Sequence, residues 1–170
     1  WMKRGLDHAR SRPPAMLAIL IVAVSTTFGS SYLGMLPVIA SYSGQSEGSF
    51  VILTSAGGVG SVITVIFIAI RGGSKPHVTS AASMLLVLGF VVAALGSTRL
   101  LWVDIFLVAA AGGLQFGVFT VCGRVLQQIV DDQFRGRVMS MYFFAWGGLL
   151  PIGALILGVL TSALGVTIAL

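Results

Sequence analysis

The sequence predicts an all-α integral membrane protein with five transmembrane helices and the start of a sixth. Hydrophobic residues make up 56% of the chain and charged residues only 9%, whereas a soluble domain usually carries about 25% charged residues. Mean hydropathy is +1.02. The few charges separate uncharged runs of helix length, and a helix needs about 20 mainly apolar residues to cross the hydrocarbon layer.

The uncharged runs set the expected boundaries. Pro37 and a polar tail should end the first helix, and a turn over residues 162–165 should follow the fifth. Because the chain begins at Trp1 and stops inside a new apolar run, we expect a fragment of a longer protein. A basic segment, residues 1–14, should precede a bundle, residues 15–170, with spans at about 15–40, 50–70, 78–97, 102–123 and 138–161, and a sixth begun at 166.

A charged stretch lies between the fourth and fifth spans. Its charged residues and its glycine are Asp131, Asp132, Arg135, Gly136 and Arg137. Charged side chains collect where water is, so this stretch predicts a short polar loop between two membrane helices. We expect Arg135 and Arg137 to pair with Asp131, Asp132 or helix C-terminal carbonyls, and to hold one conformational state.

Lys and Arg fall almost entirely on one set of alternate loops. The N-terminal segment, the second loop and the fourth loop hold nine of the ten bases, and the opposite loops hold only Arg99. The positive-inside rule therefore predicts a cytoplasmic N-terminus. Bases that flank apolar spans also account for the net charge of +5, so we expect the lipid bilayer, and not nucleic acid, as their partner.

Small residues predict close helix contacts, because helices associate in lipid by van der Waals packing. The second span carries Gly57, Gly58 and Gly60, and the fifth carries Pro151 and Gly153. Pro removes an intrahelical hydrogen bond, so we expect the fifth span to bend. An alternative role for some of these residues is as pivots of a moving helix.

Polar residues inside the spans are the candidates for a substrate path between the first and fourth spans. Burial of the Gln115 amide in hydrocarbon costs free energy unless the amide is hydrogen-bonded or faces water. Two interpretations stay open: an interhelical hydrogen bond, or the wall of a polar cavity. The hydroxyls likewise either bond to their own helix carbonyls or face the path. The candidates are Thr27, Ser30, Ser31, Gln115, Phe116 and Phe119.

Catalytic and metal-binding patterns are not expected. His8 and His77 lie in predicted loops, and Cys122 alone can form neither an intramolecular disulfide nor a metal cluster. No paired acids and no Ser/His pair fall inside the spans. We therefore expect a protein that is not an enzyme, with no cofactor and no metal site.

Several motifs resemble the major facilitator superfamily, in the bacterial branch that contains the enterobactin exporter and macrolide efflux proteins. The resemblance covers essentially the whole chain. The motifs are Arg135-Gly136-Arg137-Val138-Met139-Ser140-Met141-Tyr142, Pro151-x-Gly153-Ala154-x-x-x-Gly158 with Gly165, Tyr32-x-x-x-Leu36-Pro37, and Ser55-Ala56-Gly57-Gly58-Val59-Gly60.

The resemblance implies the C-terminal half of a twelve-helix bundle in the bacterial inner membrane. The first and fourth spans would line the central path, and the second and fifth would face a missing N-terminal six-helix half. The implied function is proton-coupled export of a small amphipathic molecule, such as a drug or a siderophore, by alternating access. Asp104 is the only candidate for a coupling acid, and the alternative is an interfacial residue beside Trp102 and Arg99.

Two other functions stay open. One is transport of lysophospholipid or another lipid by the same fold. The other is a membrane scaffold without transport, which would present apolar helices to lipid and would not need a polar wall.

Overall fold

A computed structural model describes residues 11–30, 32–41, 46–71, 77–98 and 100–164. These residues form helices and their connections, and five helices are long and apolar enough to cross a membrane. The predicted all-α fold is therefore confirmed for the described residues, and five helices have the length and composition that the predicted transmembrane helices require. The predicted sixth span at 166 and residues 1–10 of the basic segment lie outside the described residues. We number these helices as spans 1 to 5. Their stretches that are apolar enough to cross a membrane are Pro13–Ser41, Gly48–Ile70, Val78–Ser97, Leu101–Ile129 and Asp132–Ile156.

Two spans contain a π-helical segment, in which the hydrogen-bond ladder widens. Span 1 comprises the α-helix Pro13–Val24, the π-helix Ser25–Gly29 and the α-helix Tyr32–Ser41. Span 5 comprises the α-helix Asp132–Phe143, the π-helix Phe144–Gly148 and the α-helix Leu150–Leu164. Spans 2, 3 and 4 are single α-helices, Ser46–Ile70, Val78–Ser97 and Leu101–Ile129.

Two expected helix ends are wrong. Pro37 lies inside the helix Tyr32–Ser41, as neighbouring helices in a membrane can satisfy the backbone groups that a proline frees. The fifth span continues as helix to Leu164, where a turn was expected from residue 162. Thr, Ser, Ala and Leu at residues 161–164 carry no conformational restriction that would end a helix.

The expected polar loop between spans 4 and 5 is also wrong. Only Val130 and Asp131 separate the two helices, and Asp131 holds the N-cap position of span 5. The remaining charges lie in the first two turns of span 5, beginning with Asp132. An acid in the first turn is favoured by the partial positive charge of a helix N-terminus, so the charged sequence starts a helix and does not form a loop.

Two hydrophobic clusters show that consecutive spans run antiparallel. One cluster joins the starts of spans 1, 3 and 5 to the ends of spans 2 and 4. The other joins the ends of spans 1 and 3 to the starts of spans 2 and 4. We call the end of the bundle with the first cluster the basic end, because Arg12, Arg71, Arg124, Arg135 and Arg137 flank it. This alternation agrees with the predicted topology, whose sidedness stays a prediction.

Glycines bring spans 2 and 4 into backbone contact. A Cβ atom at Gly60 would overlap the backbone of Ala109, and one at Gly112 would overlap the backbone of Gly57. Such close approach is typical of helix packing in lipid. The predicted packing role therefore fits Gly57 and Gly60, whereas a Cβ at Gly58 would meet nothing within 4 Å.

The π-helical segment of span 1 contacts span 5 just beyond the π-helical segment of that span. A Cβ atom at Gly153 would overlap the backbone of Thr27, so Gly153 permits the contact. Pro151 lies in the first turn of the helix that resumes at Leu150, directly after the π-helix Phe144–Gly148. Pro is tolerated in a first helical turn because its missing N–H would lack an intrahelical partner there. The interruption of span 5 thus precedes the proline.

Candidate functional site

A cavity of about 220 Å³ lies between spans 1, 2, 4 and 5. We call it the central cavity. Its walls are mainly apolar, and the structure gives it no charged lining residue. Apolar walls with a few polar groups are usual for sites that bind small molecules. The polar and aromatic residues that line it are Ser30, Tyr32, Thr54, Ser61, Gln115, Phe116 and Trp146.

Gln115 links spans 1 and 4 beside this cavity. Its side chain is buried, and its Nε2 donates to Ser25 Oγ at 3.4 Å. Ser25 Oγ donates its own proton to the carbonyl of Val22 at 3.1 Å. Since that proton is used, Ser25 Oγ can only accept from the amide, so the nitrogen of the Gln115 amide, and not its oxygen, faces Ser25.

Two buried oxygen atoms near this link have no hydrogen-bond partner in the described part of the chain, Gln115 Oε1 and Thr26 Oγ1. Leaving a buried acceptor unpaired costs about 1–3 kcal/mol. Such groups in a folded protein mark places where water or a ligand supplies the missing donor. Both alternatives foreseen for Gln115 therefore hold in part, because it makes an interhelical bond and also lines the cavity.

Three of the predicted path residues, Ser30, Gln115 and Phe116, line the central cavity together. Thr27 does not join them. Its hydroxyl donates to the carbonyl of Ala23 at 2.8 Å, and its backbone packs against span 5. Ser31 lies outside the described residues.

Phe119 lies one turn beyond Phe116, in an aromatic cluster with span 5. Its ring centroid is 4.8 Å from that of Tyr142 and 4.9 Å from that of Trp146. The Tyr142 hydroxyl donates to the backbone carbonyl of Phe119 at 2.5 Å. In this cluster, Trp146 lines the central cavity, whereas Phe119 and Tyr142 line a second cavity nearer the basic end.

The second cavity has a volume of about 250 Å³ and lies between spans 4 and 5. We call it the Arg124 cavity, after the one charged residue that lines it in the described part of the chain. Gly123 makes room for the Tyr142 ring, because a Cβ there would lie 3.0 Å from the Tyr142 hydroxyl. Its lining residues are Phe119, Thr120, Gly123, Arg124, Gln127, Met139, Tyr142 and Phe143.

Ionic contacts tie together the helix ends at the basic end. As expected, Arg135 pairs with Asp132, at 2.6 Å, and also donates to the carbonyl of Gln127 at 3.4 Å. Asp131 pairs with Arg12, whose Nη2 donates to its two carboxylate oxygens at 3.0 and 2.9 Å. Arg12 Nη1 also donates to the carbonyl of Ile129. Arg12 thus joins the start of span 1 to the end of span 4.

The other two residues of the charged stretch are Arg137 and Gly136. The guanidinium carbon of Arg137 lies 5.7 Å from the centroid of the Phe134 ring. Gly136 is exposed, and a Cβ atom there would meet nothing within 4 Å.

Asp104 is more buried than an interfacial residue was expected to be. Only 2% of its surface is exposed, whereas 77% of that of Trp102 is exposed. The hydroxyl of Thr98 donates to Asp104 Oδ1 at 2.5 Å. Asp104 lies in the first turn of span 4, at the end opposite to the basic end, and it lines neither cavity.

Sequence reasoning missed several residues of the site. Ser25 was one of a row of hydroxyls, and only its spacing relative to the unforeseen π-helix directs it at Gln115. Trp146 carried no signal beyond its aromatic character. Arg12 precedes Pro13 and Pro14, which typically begin a helix, so the pattern could have placed Arg12 at the start of span 1.

Among the described residues, no three His, Cys, Asp or Glu side chains lie close enough to hold a metal ion. Comparison with known proteins found no matching family model, no matching curated protein and no matching solved structure. The functional proposal therefore depends on the two cavities and on the composition of their walls.

Proposed function

We propose that this chain is the C-terminal half of a secondary transporter of the major facilitator type, which exports a small amphipathic molecule by alternating access. The observation that carries the proposal is the central cavity, which four membrane spans enclose. A scaffold or anchor does not need such a cavity. Inside it, one amide and two large aromatic rings, Phe116 and Trp146, offer a hydrogen bond and flat apolar surface to a ligand.

Spans 2 and 5 supply the surface for the other half of the transporter. Only 11% of the most apolar stretch of span 2 is buried by the rest of the described chain. For the corresponding stretch of span 5 the buried share is 17%. Both spans also line the central cavity. A second set of helices packed there would close the open side of the cavity. The proposed partners are accordingly an N-terminal six-helix half of the same protein, the surrounding lipid and the transported molecule.

The π-helical interruptions of spans 1 and 5 support a transporter whose helices move during transport. The π-helical segment of span 1 packs on the α-helix that follows the π-helical segment of span 5, where Gly153 lies against the backbone of Thr27. Broken helices near a substrate site are a recurring construction in secondary transporters. In this proposal the transporter lies in the bacterial inner membrane with its basic end in the cytoplasm, and a proton gradient drives export.

The first prediction replaces the amide that lines the cavity. Gln115→Leu keeps a similar volume and removes the hydrogen-bonding groups, so we expect the ranking of exported compounds to shift while expression stays close to that of the wild type. The matched control is Gln128→Leu, which makes the same change at an exposed position near the end of span 4. The measurement is efflux of a panel of ring-containing drugs and siderophores from cells that contain equal amounts of each protein.

Three results would contradict the proposal in different ways. Efflux that a protonophore does not reduce would remove proton coupling. Transport of lysophospholipid, without transport of the panel, would favour the lipid alternative. No transport of either class by the complete protein would leave the scaffold function.

A further inference from the structure

We propose that the Arg124 cavity binds the acidic group of a ring-containing molecule, so that the exported substrate is an amphipathic anion. The inference deepens the proposed function and rests on it. It concerns a site that the sequence did not single out, since Arg124 counted only as a base at the end of a span. In the structure, span 4 continues for five residues beyond Arg124, to Ile129.

The polar side of the cavity comes from one face of span 4. Thr120, Arg124 and Gln127 lie three or four residues apart, and Arg124 is half-buried. No acidic side chain lines the cavity in the described part of the chain. A guanidinium can hold a carboxylate by two parallel hydrogen bonds and still has donors for protein partners. Neutral donors and acceptors beside it, Thr120 and Gln127, can bind the other oxygen atoms of an acidic group.

Three aromatic rings also line the cavity, that of Phe119 on span 4 and those of Tyr142 and Phe143 on span 5. Tyr142 stacks on Phe119 with ring centroids 4.8 Å apart, and Phe143 lies edge-on to Tyr142 at 5.4 Å. The bond from the Tyr142 hydroxyl to the carbonyl of Phe119 fixes the ring in place. A flat ring of a ligand can stack on these rings at little entropic cost. The combination therefore selects a molecule with a ring and an acid.

Span 4 lines both the Arg124 cavity and the central cavity. Phe116 lines the central cavity, and Thr120, Arg124 and Gln127 line the Arg124 cavity, so successive turns of one helix face present both sites. From Phe116 to Arg124 the helix rises about 12 Å. The ring of Phe119, which lines the Arg124 cavity, lies 4.9 Å by centroids from the ring of Trp146, which lines the central cavity. An elongated substrate would place its acid at Arg124 and its apolar end beside Phe116.

A plainer role for Arg124 is a positive charge at the membrane surface, which would set topology and attract any anion. The surface-charge role and the binding role differ in where the positive charge has to lie. A surface charge acts at any base of the basic end, whereas a binding residue acts only in the cavity. Arg71, at the end of span 2, is the matched control because it is exposed and lines neither cavity.

The test compares two probes that have the same shape and differ in charge, 1-naphthylacetate and 1-naphthylacetamide. Binding to the complete protein in nanodiscs of phosphatidylcholine is measured by calorimetry, which requires no transport. We expect the wild type to bind the anion at least roughly tenfold more tightly, which corresponds to one charge-assisted hydrogen bond. Arg124→Gln should abolish this preference, Arg124→Lys should retain part of it, and Arg71→Gln should leave it unchanged.

Several outcomes would overturn the inference. Equal binding of the two probes, or equal losses in Arg124→Gln and Arg71→Gln, would assign Arg124 to surface charge alone. Displacement of 1-naphthylacetate by phosphatidylglycerol added to the nanodiscs would assign the cavity to a lipid headgroup instead of a small molecule. If efflux of the drug and siderophore panel still depends on Gln115 in any of these cases, only this inference fails. Absence of all transport by the complete protein, in contrast, removes the proposed function.

Discussion

Spans 2 and 4 have almost the same hydropathy, 2.2 and 2.0, and both are rich in glycine. Their positions in the bundle nevertheless differ. The rest of the described chain buries half of the most apolar stretch of span 4, but only 11% of the corresponding stretch of span 2. Span 4 contacts all the other spans, whereas span 2 packs mainly on span 4 through one face. Hydropathy thus indicates that a helix crosses the membrane, and not how deep in the bundle it lies.

The difference comes from where the small residues fall. On span 4, a Cβ atom at Gly112, Gly113 or Gly117 would contact or overlap a neighbouring helix. On span 2, Gly57 and Gly60 face span 4, but Gly58 faces open space. Because lipid is as apolar as the side chains, close backbone approach and not hydrophobicity selects the central helix. Each of the following substitutions tests that conclusion.

The largest effect is expected at the crossing of spans 2 and 4. Gly60→Ala places a Cβ on the backbone of Ala109, which cannot rotate away, so we expect a loss of about 1–3 kcal/mol in the free energy of unfolding. Gly58→Ala, two residues away, has open space and should cost less than about 0.5 kcal/mol. Unfolding in mixed detergent micelles measures both. Equal stability of the two variants would contradict the close crossing.

A smaller effect is expected from one substitution made in both helices. Val118 on span 4 is fully buried, whereas Val62 on span 2 is 57% exposed. Val118→Ala should destabilise by about 1–2 kcal/mol, because it removes packed methyl groups and leaves a cavity. Val62→Ala should change stability by less than about 0.5 kcal/mol, since lipid replaces the lost contacts. A loss at Val62 as large as that at Val118 would mean that the outer face of span 2 is packed in the complete protein.

The smallest effect is expected where the end of span 4 is tied to span 1. Arg12 and Asp131 form an ion pair at 2.9 Å, and both are well exposed. Exposed pairs contribute about 0–1 kcal/mol, so Arg12→Gln should lower stability by no more than that, and less in high salt. A double-mutant cycle with Asp131→Asn gives the coupling energy. A coupling that does not change with salt would show that the pair is shielded from water.

The spans themselves could be predicted, because composition and charge spacing decide whether a helix can cross a membrane. Their ends were less predictable. Span 4 was expected to end at about residue 123, but its helix continues through Gln127 and Gln128 to Ile129, because a helix can leave the hydrocarbon without unwinding. The pairing of Ser25 with Gln115 depends on a π-helix, and that depends on tertiary packing. Among the residues predicted to line a path, Ser30, Gln115 and Phe116 line the central cavity, whereas Thr27 does not.

The length of span 4 has a consequence for the membrane that surrounds it. Its helix of 29 residues is about 44 Å long, whereas the hydrocarbon layer is about 30 Å thick. The helix would have to tilt by about 47° from the membrane normal to fit entirely within the hydrocarbon layer. That angle lies beyond the usual range of about 0–40°. One or more turns must therefore stand among the lipid headgroups, and the polar end with Arg124 and Gln127 is the portion suited to that zone. Hydrophobic mismatch follows: a thicker bilayer would draw this end inward, and a thinner one would expose it.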